Sequence, residues 1–271
     1  MKPLLVVDGD SLAHRAYHAM PKSIRLNGVL GFANMLLRLW EAEEPRGVLV
    51  GWDTYEIPTY RHEAFEPYQS GRVFEESLLE QLPMMVQLSG AMGFANAKEG
   101  GYEADDFLGA AVASEEKRKG EALVATSDRD LFQLVSERTT ILQPVRGVSE
   151  LARIGPAEVV ERYGVEPKQV PDFIALRGDP SDRIPGARGV GPKTAAAVLR
   201  QYGSLEAALE AGRFPQQADE LRLYKRIATM DAEAPLPPLP DREPTWERAA
   251  ALAREWRLGR LAERLEALSR S

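Results

Sequence analysis

Leu4-Leu5-Val6-Val7-Asp8-Gly9-Asp10 carries the deciding pattern: four apolar residues in a row, then an acid where the run stops. A strand buried on both faces needs such an unbroken run. The pattern returns at Gly47 to Trp52, ending in Asp53, and at Ala122 to Thr126, followed by Ser127-Asp128-Arg129-Asp130. Helical patterns lie between: Phe32 to Trp40, Phe74 to Leu88 with a kink expected at Pro83, and Glu103 to Lys119 stopping at Gly120. Strands alternating with helices predict an α/β fold with a parallel sheet covered on both faces. Ligands of such sheets bind beyond the carboxyl ends of the strands, where Asp8, Asp53 and the Asp128/Asp130 pair fall.

Past about Gly147 no further strand is expected. Pro156 to Tyr163, with Gly164 past its end, reads as a short helix, and Val170 to Arg177 as another. Lys193 to Tyr202 follows Gly189-Val190-Gly191-Pro192 and stops at Gly203, and Ser204 caps Leu205 to Glu210. A proline-rich connector, Leu236 to Pro240, leads to a helical pair over Trp246 to Leu268, interrupted near Gly259. The division expected is 1–150 for the core and 151–271 for a helical region.

The chain has 271 residues, 44% of them hydrophobic, which suffices for a sizeable core. No apolar run approaches a membrane span or a signal peptide. With no cysteine, disulfides, thiolate catalysis and cysteine zinc sites are excluded, and an intracellular setting is expected. With three histidines, zinc is improbable too. The net charge of −7 at first argues against nucleic acid. Setting aside nine clustered acids of the 41 leaves the 34 basic residues in slight excess, so charge distribution matters more than the sum. Arginine outnumbers lysine; that suits bidentate phosphate contacts, and a GC-rich genome gives the same bias.

The nine acids are Asp8, Asp53, Glu103, Asp105, Asp106, Asp128, Asp130, Asp179 and Asp182. Singly, each has an ordinary reading: a strand-to-loop turn for Asp8 and Asp53, helix capping for Asp128 and Asp130, an Asp-Pro turn for Asp179 and Asp182. Gly101-Tyr102-Glu103-Ala104-Asp105-Asp106 is more telling. One or two acids satisfy a helix dipole, whereas three crowd one turn, with Glu103 and Asp106 on one face. Converging carboxylates repel one another unless cations neutralise them, and hard oxygen ligands favour Mg²⁺ or Mn²⁺. Two such ions side by side are a common device for cutting phosphodiesters. Gly189-Val190-Gly191-Pro192-Lys193-Thr194 offers backbone approach, helix N–H groups and a point charge to a phosphate, or simply a tight turn between helices. Arg61, His62, Tyr68 and Arg72 interleave basic and aromatic residues as a single-stranded segment would need, and as a solvated helical face also would.

In this order the motifs resemble the 5′-nuclease family, which includes the 5′→3′ exonuclease domain of bacterial DNA polymerase I, phage 5′ nucleases and flap endonucleases. The matching stretches are Val6-Val7-Asp8-Gly9, Trp52-Asp53, Tyr60-Arg61-His62-Glu63-Ala64, Gly101 to Asp106, Asp128-Arg129-Asp130-Leu131, Gly178-Asp179-Pro180-Ser181-Asp182 and the Gly189 to Thr194 hairpin. The resemblance implies a PIN-like nuclease core with an arch segment at about 55–90. It also implies a helical DNA-binding region with a helix–three-turn–helix element at about 178–203. It implies one metal ion among Asp8, Asp53, Glu103 and Asp105, with Asp105 bridging to a second held by Asp128, Asp130 and Asp182. Asp106 and Asp179 would stand nearby or act through water. Arg15 matches a family arginine near the scissile phosphate, and Arg61, Tyr68 and Arg72 match the arch through which a 5′ strand passes. Gly189, Gly191, Lys193 and Thr194 match the element that grips duplex DNA and often holds K⁺.

The implied enzyme is a structure-specific 5′ nuclease using two Mg²⁺ or Mn²⁺ ions. It would be a bacterial, cytoplasmic, nucleoid-associated monomer acting on DNA 5′ flaps, nicks and 5′ ends, with RNA 5′ ends as a further substrate and no membrane contact. Two departures stand out. Relatives often carry a lysine after the arch tyrosine, and this chain has Tyr68-Gln69, an amide without positive charge. The segment between His18 and Gly31 is shorter than in polymerase-linked relatives. No polymerase sequence follows, so a stand-alone enzyme or an excised domain is expected. Two other readings stay open: a DNA-junction binder without turnover, which Gln69 would suit, and a PIN-like ribonuclease, for which the chain is long.

Overall fold

The structure is a computed structural model that describes residues 2–71, 73–146 and 150–270. The expected arch residue Arg72 lies outside the described residues. Six strands among them form one sheet in the order β3-β2-β1-β4-β5-β6. They are β1 (Leu4–Asp8), β2 (Gly47–Gly51), β3 (Ala95–Ala97), β4 (Ala122–Ala125), β5 (Thr139–Arg146) and β6 (Glu150–Ile154). The β1–β2, β2–β3, β1–β4 and β4–β5 pairs are parallel; β5 and β6 pair antiparallel. Chain order runs outward from β1 in one direction to β3, then restarts beside β1 at β4. The reversal lies between β1 and β4, where doubly wound sheets open a crevice for ligands.

The fully buried runs behave as their composition requires. Leu4 and Val6 pack into one core, Leu5 and Val7 into the other, as a period of two dictates. Helices α1 (Gly9–Ala19), α2 (Asn27–Glu43) and α5 (Leu82–Ala91) cover the second core. Helix α6 (Ala104–Lys117) covers the first, with α7 (Pro156–Tyr163), α8 (Val170–Arg177), α9 (Pro192–Tyr202), α10 (Leu205–Glu210) and α11 (Ala218–Ala228). Between β2 and β3 come the short helices α3 (Tyr60–Ala64) and α4 (Glu76–Leu79). No described helix is long and apolar enough to cross a membrane.

Two expectations change. Pro83 does not kink one helix: α4 ends at Leu79, and Pro83 sits in the first turn of α5, where its missing N–H leaves no bond unmade. The strands also continue past 147, because β6 returns antiparallel to β5 at the sheet's edge. The final helices, α12 (Trp246–Glu255) and α13 (Gly259–Leu268), fold back onto the N-terminal half. Trp246 packs edge-on against Trp40 at 4.9 Å and Phe94 at 6.0 Å between ring centroids. Residues 246–268 therefore build the second core and are spatially apart from the helices of the 151–228 region.

A buried ion pair pins the return path. Arg46 donates to both carboxylate oxygens of Glu115 and, through Nη1, to the Leu239 carbonyl (3.0 Å) and Asp241 (2.9 Å). Both partners of the Arg46–Glu115 pair are inaccessible to solvent. Removing one member strands a buried charge, so Glu115→Ala should destabilise the fold by about 3–5 kcal/mol. Urea-denaturation midpoints measure this; a loss below about 1 kcal/mol would mean that water reaches Arg46.

Candidate active site

The close approach of elements at the sheet's carboxyl end depends on two glycines. A Cβ on Gly9 would stand 2.6 Å from the Gly51 carbonyl oxygen and 2.7 Å from the Trp52 ring; one on Gly51 would stand 2.6 Å from Leu108. Without those side chains, α1, β2 and α6 draw together, bringing Asp8, Asp53 and Glu103 to one place. Asp8 ends β1 and caps α1, accepting from the Ser11 N–H (2.9 Å) and the Thr126 hydroxyl (2.7 Å). Asp53 accepts from the Ala104 N–H at the start of α6 (2.8 Å). Glu103 caps α6 and accepts from the Thr59 hydroxyl and the Tyr68 hydroxyl, both at 2.9 Å. Asp128 follows β4, accepting from the Asp130 N–H (2.9 Å).

These acids line one cleft of about 550 Å³. Eight carboxylates border it: Asp8, Asp10, Asp53, Glu103, Asp105, Asp128, Asp130 and Asp182. Against them stand Arg15, His14 and His18. Burial, and then the Asp128 and Asp53 charges, push the Asp8 carboxyl up to about 7, against the bonds from Thr126 and Ser11. Burial lifts Asp10 to about 6. Asp105 and Asp130 rise well above the usual carboxylate range, chiefly through burial. Asp105 Oδ1 and Ser127 Oγ are buried without a hydrogen-bond partner. Among the described residues no three acids or histidines already form a coordination shell. The donor set is all hard oxygen, crowded, short of protons' worth of positive charge and holding an orphaned carboxylate oxygen at the cleft. It fits divalent cations such as Mg²⁺ or Mn²⁺.

Asp106 and Asp179, expected to stand nearby or act through water, do not line the cleft. Asp106 is wholly buried, accepting two bonds from Arg61 (both 2.7 Å) and others from Tyr60, the Asp231 N–H and the Glu103 N–H. Its oxygens are committed, so it supports the site from beneath. Asp179 accepts from the Ser181 N–H (2.8 Å) and hydroxyl and from Arg177 (3.0 Å), closing the turn that presents Asp182. The arch assignments change as well. Arg61 is 1% exposed, its Nε donating to the Ile227 carbonyl (2.9 Å), so it ties α3, α6 and α11 together and cannot reach a passing strand. Tyr68 borders the cleft but is buried, its hydroxyl held by Glu103 and pushed by burial well above the ordinary tyrosine range. His62 caps α3 through Thr59, and its ring meets Tyr68 at 5.2 Å.

Some cleft residues escaped the sequence reading. Asp10 accepts from the Asp53 N–H (2.7 Å) and the Tyr55 hydroxyl (2.6 Å). Its position two after Asp8, in a stretch that reads as a turn, hid that it begins a helix facing the crevice. Tyr55, Phe74 and His14 form a chain of rings at the cleft, with centroids 5.0 and 5.1 Å apart. Arg15 borders the cleft, Nη2 donating to the Val145 carbonyl (3.2 Å). Away from the cleft, Gly189 has φ +73°, which favours glycine, and Gly191 caps α9 with no side chain over the helix N–H groups. Open space lies beyond both, and Lys193 and Thr194 are exposed beside it.

One α/β fold carries the crevice at the sheet's reversal point, a carboxylate basin suited to divalent cations and an exposed glycine hairpin. Residues 3–164 match the family model described as the 5′–3′ exonuclease N-terminal resolvase-like domain, and residues 165–243 that of the 5′–3′ exonuclease C-terminal SAM fold. The chain belongs to the 5′–3′ exonuclease family. It is 40% identical over 215 residues to DNA polymerase I of Mycobacterium tuberculosis, covering 76% of this chain and 24% of the relative. It is 36% identical over 251 residues to DNA polymerase I of Bacillus subtilis, covering 87% and 28%. The chain thus spans about a quarter of the curated relatives it matches. Its fold is similar to that of T5 5′-exonuclease with divalent zinc ions bound (TM-score 0.71, 17% identity, 98% of each chain). It is also similar to that of the catalytic core of Rad2 in complex with DNA substrate (TM-score 0.61, 14% identity, 98% and 90%).

The raised carboxyls set a pH dependence. Asp8 and Asp10 bind protons more tightly folded than unfolded, so their contribution is complete below about pH 4 and is lost as pH rises through about 6 to 7. Metal-free protein should therefore lose melting temperature between pH 5 and 7.5, roughly the span of those titrations. Mn²⁺ should restore more at the upper pH, where it displaces fewer protons. Thermal melts in chelator with and without Mn²⁺ decide it; a pH-independent Mn²⁺ effect would contradict the shared, proton-competing site.

Proposed function

We propose that this chain is a structure-specific 5′ nuclease, hydrolysing DNA phosphodiesters at 5′ flaps, nicks and 5′ ends with two divalent ions. The observation that carries this reading is the basin of eight carboxylates at the reversal point of the sheet, which an anionic strand can approach only once cations neutralise it. Asp8, Asp53, Glu103 and Asp105 would hold one ion, with Asp105 shared, and Asp128, Asp130 and Asp182 the other. The chemistry such ions supply is charge neutralisation at the phosphodiester and production of a nucleophile from water near neutral pH. The protein's own part is positioning. Thr126 and Ser11 orient Asp8, Tyr68 and Thr59 orient Glu103, and Arg61 holds the α6 end that carries Glu103 and Asp105. Arg15 faces the cleft as a cation for the phosphate, and His14, Tyr55 and Phe74 offer ring faces to bases.

The hairpin at Gly189 to Thr194 would grip the duplex backbone, with K⁺ in the space beyond the glycines. Relatives named as DNA polymerase I, and a Rad2 core solved with DNA substrate, favour DNA over RNA and a bacterial nucleoid setting. A monomer suffices, since every group invoked comes from one chain. Contacts of this kind read backbone and shape with little sequence preference.

A labelled 5′ flap incubated with Mn²⁺ tests the activity, and RNA and DNA flaps in competition test the substrate. Asp128→Ala and Asp8→Ala should each lower kcat by about 10³-fold, about 4 kcal/mol of barrier, with circular dichroism unchanged. A fully active Asp128→Ala protein would remove that residue from the site. Wild-type binding without cleavage would instead favour the junction-binder reading that Gln69 suits. Lys193→Ala should weaken duplex binding equally for all sequences and flatten the log K versus log salt slope by about 0.9.

A further inference from the structure

Gln69 is a non-glycine residue at φ +48°, a left-handed conformation that persists only where surroundings over-determine it. Its surroundings do so. Its N–H donates to the Asp182 carbonyl (3.3 Å). Its side-chain Nε2 donates to Asp182 Oδ1 (3.2 Å) and to the Tyr68 hydroxyl oxygen (2.8 Å). The Tyr68 hydroxyl donates onward to Glu103 Oε2 (2.9 Å). One amide nitrogen thus spends both hydrogens linking a carboxylate from the 179–184 turn to a carboxylate at the head of α6. Asp182 and Glu103 both border the cleft, come from segments separated by about eighty residues of chain, and under the proposed assignment would hold different ions.

Resting on the divalent-ion reading above, we propose that Gln69 is a positioning residue that fixes the two ion-holding carboxylate groups relative to each other through the Asp182–Gln69–Tyr68–Glu103 relay. An amide suits that work. It donates to two acceptors at once, carries no charge to repel an incoming cation, and its planar NH₂ sets a fixed angle between the two bonds. The relay takes one oxygen of Glu103 and leaves the other to Thr59. Outer partners of this kind orient ligands and set cation affinity. The chain therefore trades a positive group at this position for a neutral clasp between the two halves of the site.

The test is cation binding without DNA. Wild-type protein, Gln69→Met and Tyr68→Phe are titrated with Mn²⁺ by calorimetry, and each is melted in chelator to record its fold. Wild-type binding establishes the divalent site; no binding there would defeat the underlying reading instead of the relay. Gln69→Met, similar in shape but without donors, should weaken Mn²⁺ binding by about tenfold or more. Tyr68→Phe should weaken it too, and the double variant should lose no more than the worse single one, because both cut one relay. Unchanged affinity in Gln69→Met, or additive losses in the double variant, would overturn the proposal. If Gln69→Met fails to fold, Tyr68→Phe and Gln69→Asn, whose shorter amide cannot span both acceptors, are compared; binding equal to wild type in both would overturn it equally.

Discussion

Eight carboxylates around one cleft repel one another, and the fold must hold them there before any counter-ion arrives. Two unit charges 4 Å apart cost about 4 kcal/mol at an effective dielectric constant of 20. The buried guanidinium of Arg61 is the principal device that offsets this on the α6 side. It lies 2.7 Å from Asp106, 3.4 Å from Asp105 and 3.5 Å from Glu103, with its Nε on the Ile227 carbonyl. Burial alone would lower the affinity of Arg61 for its proton; the three carboxylates outweigh that and raise it. Burial also raises the carboxyls of Asp8, Asp10, Asp105 and Asp130, so each binds a proton more readily than a free carboxyl does.

The topology explains why these acids converge. Parallel strands all point the same way, so residues just past β1, β2 and β4 share one edge of the sheet. The break between β1 and β4 opens the crevice that the helices leave uncovered. Helix α6 delivers Glu103 and Asp105 from its first turn, where the helix dipole favours negative charge. The 179–184 turn, closed by Asp179 and by the Asp179–Ile184 bridge, delivers Asp182 from the helical region. Acids from both segments meet because α8 and α11 pack against the sheet's first core.

How much was legible in the sequence follows from burial. The runs Leu4 to Val7, Gly47 to Trp52 and Ala122 to Thr126 are buried on both faces, so their apolar continuity announced the strands and the acids beyond them. β3 has three residues with small side chains, and β5 and β6 carry threonine, proline and charge along a sheet edge, so none had a signal of its own. Helix ends between 156 and 210 were readable because Pro, Gly and Ser mark them chemically; Ser204 does accept from the Ala207 N–H as a cap should. The site was legible as a set of acids but not as a division of labour. Nothing in Glu103-Ala104-Asp105-Asp106 distinguishes a carboxylate facing the cleft from one turned under it. That depends on Arg61, some forty residues earlier in the chain, entering from α3.

The same blindness applied to the basic residues. An arginine beside tyrosines reads as a phosphate contact, yet Arg61 and Tyr68 turn inward onto the acids at the head of α6. A burial of that kind is weak evidence for stability, since apolar replacements of whole buried ion clusters often stabilise. Its persistence here follows from geometry: a guanidinium with five donors in a fixed fork can orient Asp106 bidentately and still reach Asp105 and the α11 carbonyl. Apolar side chains would fill the same volume without fixing where α6 begins. Residues that touch the substrate can be chosen for charge alone, but the layer beneath must be chosen for angle, and Arg61 and Gln69 are both angular choices.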